Sequence, residues 1–170
     1  TVKEDRSFHP KGLSAPRLLR VGNLPSGWTL KSVRQNGDDV TDSGVEFKSG
    51  QDISGLELVA TSKQTEITGG VTASNGSALK DYTVVVFSDD PLLWSLPFTR
   101  WVNGTRPDQE GRFRVRNLPA GSYNIVAVDY IEAGAWGDPE LLDRLKSHAK
   151  RITLSEGGSE RVDLKLVDRY

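Results

Sequence analysis

Cysteine and methionine are both missing from the 170 residues, and histidine occurs only twice. Without cysteine there is no disulfide scaffold, no thiolate metal site and no cysteine nucleophile. No run of about 18 apolar residues occurs, so no membrane-spanning helix is expected. Net charge is nearly absent: 22 basic against 23 acidic side chains leave −1, which argues against a general nucleic-acid binder. A chain opening on Thr1 without an initiator reads as a processed or cropped end, and no signal peptide is visible. What is there supports a folded core, since 36% of the residues are hydrophobic. The length suits one large domain or two small ones.

The apolar pattern is that of strands. Tyr82–Phe87 is rich in β-branched and aromatic residues, and Tyr123–Val128 is a continuous apolar run that suits a central strand. Phe113-Arg114-Val115 and Val162–Leu166 alternate apolar with polar, as half-buried strands do. Asn75-Gly76 and Gly157-Gly158 mark turns between such runs. One helix is expected over about 138–149. Asp138 is its N-cap and Pro139 its first residue, with Leu141, Leu142, Leu145 and Ala149 on one apolar face.

An internal repeat organises the chain. Phe8 and Leu13 match Phe113 and Leu118 at an offset of 105, and Leu56–Val59 matches Leu164–Val167 at 108. Gly50 stands to Val45-Glu46-Phe47 as Gly157 does to Ile152-Thr153-Leu154. A period of about 105 residues is one sandwich domain, too long for a solenoid unit. Residues 1–62 then read as the C-terminal part of an incomplete β-sandwich and 63–170 as a complete one. The first copy lacks everything equivalent to roughly Thr65–Thr105, about three strands on the spacing of a sandwich. At the repeat offset Arg6 replaces Gly111 and Pro16 replaces Gly121, residues that do not supply positive φ cheaply.

The stretch Ile67-Thr68-Gly69-Gly70-Val71, then Asn75-Gly76, then Asp81–Phe87, resembles the opening of a carboxypeptidase regulatory-like domain. Asp108-Gln109-Glu110-Gly111-Arg112-Phe113 followed by Leu118-Pro119-Ala120-Gly121-Ser122-Tyr123 is similar to that family's D-x-x-G-x-F and L-P-x-G-x-Y pattern. The resemblance implies an all-β fold of tandem transthyretin-like or Ig-like sandwiches. It also implies a noncatalytic adhesive, stalk, carbohydrate-contacting or assembly role in a bacterial secreted or cell-surface protein. An extracellular or surface location is therefore expected, with the periplasm as the alternative.

No catalytic residue is assigned. His9 and His148 sit in no nucleophile motif, although a triad can assemble in space. The loops holding Asp38-Asp39 with Asp42, and Asp89-Asp90, read as solvated turn acids; neither a metal nor a cofactor is expected. No acid lies within the core runs, so no isopeptide crosslink is expected. Asn75 and Asn103 head formal glycosylation sequons. Trp94, Trp101 and Trp136 are the candidate residues for binding a polysaccharide or protein partner. The alternative for these indoles is to seal the sandwich ends. Phe8, Leu19, Val21, Leu56 and Leu58 are the candidate assembly edge. Strands completing the first copy would come from a neighbouring subunit or an upstream cleaved segment, by strand addition.

Overall fold

The computed structural model describes residues 3–9 and 11–168. Thr1, the expected cut end, and Tyr170, the expected close of the second sandwich, lie outside them. The described residues form thirteen strands and one α-helix, in an all-β, sandwich-like fold. They divide into two compact units, Thr1–Thr61 and Ser62–Tyr170.

The first unit holds β1 (Ala15–Arg17), β2 (Thr29–Gln35), β3 (Asp38–Asp39), β4 (Val45–Phe47) and β5 (Leu56–Thr61). β1 pairs antiparallel with β4. A separate sheet has the order β3-β2-β5. Its β2–β3 hairpin turns on Asn36-Gly37, whose φ values of 51° and 96° match the two left-handed positions of a type I′ turn. The buried hydrophobic side chains described here are Val33, Val45 and Phe47. Thr41, also buried, links β2 to the segment after β3, its hydroxyl accepting from the Val33 N–H at 2.8 Å while its own N–H donates to Asp39 at 2.9 Å.

The candidate edge residues Leu19 and Val21 lie in none of these strands. β1 stops at Arg17, and the Arg20 guanidinium donates to the carbonyls of Leu19 (3.0 Å) and Thr41 (2.9 Å). A side chain thus takes acceptors that a ladder would otherwise use.

The second unit holds β6 (Glu66–Thr72), β7 (Thr83–Ser88), β8 (Val102–Thr105), β9 (Arg112–Arg116), β10 (Gly121–Val128), α1 (Pro139–Lys146), β11 (Lys150–Leu154), β12 (Ser159–Arg161) and β13 (Leu164–Val167). The hydrogen-bonded path is β12-β6-β13-β10-β7-β8, with β9 beside β6 and β11 beside β10. β7 and β10 are covered on both faces. One face, with Val84, Val86, Tyr123 and Ile125, packs against Ile67, Phe113 and Leu164. The other, with Val85, Phe87, Val126 and Val128, packs against Trp94 and against Leu141, Leu142 and Leu145 of α1. Burial on both sides is why these strands read as unbroken apolar runs.

Local chemistry sets the corners. Tyr123 donates its hydroxyl to the Pro119 carbonyl at 2.8 Å, a tyrosine corner that closes the Leu118–Tyr123 motif. Phe113, Leu118 and Tyr123 share one cluster. Asp138 caps α1 by accepting from the Glu140 N–H at 3.0 Å. The helix ends at Lys146, three residues short of the expected Ala149. Bonds of the i→i−3 type, His148 N–H to Leu145 O and Ala149 N–H to Lys146 O, tighten its end and deliver the chain into β11.

Candidate functional site

The three candidate tryptophans are not gathered on one surface. Trp94 is buried, meets Phe87 edge-on at 5.4 Å, and donates its indole N–H to the Ser88 carbonyl at 2.7 Å. Trp136 is half-buried and lies flat over Gly104, where a Cβ would come within 2.2 Å of its ring. Both pack on the α1 side of β7 and β10. Trp101 packs on the opposite cluster, stacked on Tyr123 at 6.2 Å with the Arg100 guanidinium 5.5 Å from its ring. The large exposed hydrophobic side chains are instead Trp28, Leu92, Phe98 and Tyr130.

Of the candidate edge residues, Leu56 and Leu58 lie on β5, facing Gln35 and Val33 across the pairing with β2. Phe8, Leu19 and Val21 lie outside the named strands, and all five are half-buried. Among the described strands β5 pairs with β2 alone, so it forms an edge of its sheet.

The histidines, His9 and His148, are exposed. Asp42 lies 3.8 Å from Arg20, and Asp89 pairs with Arg151. Among the described residues no three His, Asp or Glu side chains gather as a metal site.

One feature of the surface went unread in the sequence. The alternation that buries Phe113 and Val115 in β9 turns Arg112, Arg114 and Arg116 outward together. Across the pairing with β6 they face Gly70, Thr68 and Glu66. Glu66 accepts from Arg116 at 2.7 Å and lies 3.3 Å from Arg114. The Arg116 hydrogen bond, more than the Arg114 charge, holds its carboxyl below the ordinary range. Asp108 is likewise held down by the Arg112 backbone N–H. A groove of about 710 Å³ opens over this face. In sequence, alternating arginines only mark the wet side of a strand. The groove requires β6, β9 and β12 side by side, and no local pattern announces that.

No protein-family model matches the sequence, and no curated protein does. Among solved structures, the major pilin subunit of Bacillus cereus is 13% identical, with 82% of this chain and 56% of that one covered and a TM-score of 0.40. A Pseudomonas aeruginosa protein described as a candidate carbohydrate binder is 17% identical, with coverages of 60% and 88% and a TM-score of 0.38. The dioxygenase domain of a dioxygenase–carbohydrate-binding fusion from a Streptomyces species is 9% identical, with coverages of 62% and 79% and a TM-score of 0.36. Likenesses this distant carry no function over to this chain.

Proposed function

We propose that this is a noncatalytic structural or assembly module of a bacterial extracellular or surface protein. In this reading the first unit is a partial copy of the second that accepts a β-strand along β5. The supporting observation is a set of backbone features recurring at the repeat offset. The turn at Lys3–Ser7 has Lys3 N–H to Ser7 O at 2.8 Å and Arg6 N–H to Lys3 O at 2.9 Å. The turn at Asp108–Arg112 has the corresponding bonds, at 2.8 Å and 3.0 Å. Gly12 and Asn117 both have positive φ, as do Gly50 and Gly157. The β1–β4 pairing corresponds to that of β10 with β11, to within one residue of register.

Against that likeness, β13 pairs with both β6 and β10, whereas among the described strands β5 pairs with β2 alone. The strand equivalent to β6 has no counterpart among the described residues of the first unit. An incoming strand would satisfy the open edge and cover half-buried Leu56 and Leu58. The test is sedimentation of the purified chain together with mass spectrometry for a bound peptide. Self-association or a retained peptide, with slowed amide exchange in β5, is expected. A stable monomer without any peptide sinks the reading.

A further inference from the structure

The groove on the second unit has a composition that selects among ligands. Thr68 lies at its floor, flanked by Arg114 on β9 and by Arg161 on β12, its direct cross-strand neighbours. Strands about 4.8 Å apart place these two cations on either side of one hydroxyl. Gly70, next along the floor, carries no side chain, and the space above it is open except for the Gly111 carbonyl at 3.8 Å. Arg106 also lines it, with its guanidinium 5.2 Å from the Tyr130 ring. Arg114 is partly neutralised by Glu66. Arg161 has no hydrogen bond or ion pair among the described residues, and neither does the Thr68 hydroxyl. Among the described residues, then, the groove is lined by a cation and a hydroxyl without partners.

Two carboxylates also line it. Asp163 accepts from the Gly70 N–H at 3.3 Å, and Asp108 is held ionised at the β9 end. Guanidinium groups bind carboxylates by paired hydrogen bonds, whereas Asp oxygens only accept. A ligand that suits both must bring an oxyanion and several hydroxyl donors on one compact frame. A bare inorganic anion leaves the aspartates facing like charge. An acidic peptide presents further carboxylates to them, and on a sheet face it finds no open strand edge.

We infer that this groove binds an acidic sugar of the uronate class. Its carboxylate lies between Arg114 and Arg161, and its ring hydroxyls donate to Asp163 and Asp108. The volume fits this use, since ligand pockets run about 300–1,000 Å³. The inference stands independently of whether β5 accepts a strand.

Isothermal titration of the whole chain at low salt tests it, with four probes: oligogalacturonate hexamer, neutral maltohexaose, hexaglutamate and sodium sulfate. The galacturonate hexamer is expected to bind at least tenfold more tightly than the other three. Arg161→Gln and Thr68→Val are each expected to weaken it, the first by tenfold or more, with circular dichroism unchanged. Arg144→Gln on α1 serves as the control for general charge and is expected to change affinity less than twofold. Sulfate or hexaglutamate binding as tightly as the galacturonate hexamer overturns the inference. So does an equal loss in the Arg144 variant, or no binding of the hexamer.

Discussion

Tyr82 is fully buried and donates its hydroxyl to the Gly111 carbonyl at 2.8 Å. Burial, with a smaller contribution from the Asp108 charge, pushes its phenol up to about 12. The unfolded chain releases that proton near pH 10. The preference for the folded state is therefore whole below pH 10 and is lost as pH rises through 12. Tyr82→Phe is expected to cost about 1–2 kcal/mol at neutral pH by orphaning the carbonyl. It is also expected to flatten the decline in stability between pH 10 and 12, read by urea denaturation across that range. A decline equally steep in the variant refutes the assignment. The same turn shows how neighbours decide what a residue costs. Gly111 has φ of 78° and Arg6, its repeat partner, φ of 64°. In sequence, arginine at this position puts the turn geometry of the first copy in doubt, because it does not supply positive φ cheaply; Arg6 takes it nonetheless. Its turn is exposed, so the left-handed conformation costs only about 1–2 kcal/mol. A Cβ at Gly111 would meet the Leu79 carbonyl at 2.6 Å. Gly111→Ala is thus expected to lose at least about 2 kcal/mol while Arg6→Gly loses nothing, as thermal melts would report. At Pro16 no conflict arises, because Gly121 does not use positive φ either.

At the level of elements, legibility followed locality. Asp138-Pro139 and the spacing of Leu141, Leu142 and Leu145 announce α1, because cap and apolar stripe are written within a few turns. β7 and β10 were legible because both their faces are apolar. β8 was not. Its four residues include Asn103-Gly104-Thr105, which reads as a sequon, and its place depends on Trp136 lying against it from 32 positions later. The two dependencies separate by mutation. Asp138→Ala removes only a cap and is expected to cost about 1 kcal/mol. Gly104→Ala forces the Trp136 ring off β8 and is expected to cost more, with a change in tryptophan fluorescence that Asp138→Ala does not produce. Unchanged emission in the Gly104 variant would mean that the indole does not rest there. The candidate sites follow the same rule. An open edge could be suspected from a truncated repeat, whereas the arginine groove is assembled from three strands that only the fold aligns.

For the molecule as a whole, the two units differ in what they bury. Both hydrophobic clusters belong to the second unit, and the first has Val33, Val45 and Phe47 as its described buried hydrophobics. Apolar burial is the main force opposing chain entropy, so protection against amide exchange is expected to be uneven. The slowest amides are expected in β7 and β10, which are paired on both edges and covered on both faces. Amides of β2 and β5 are expected to exchange at least tenfold faster once the chain is dissociated from its partner strand. Adding the partner that the assembly reading requires would slow β5 selectively and leave β7 and β10 unchanged, since their protection is already complete. Hydrogen exchange read by mass spectrometry distinguishes the cases. If β5 is as protected as β10 in a monomeric chain without any peptide, the first unit is self-sufficient and its β5 edge is not waiting for a strand.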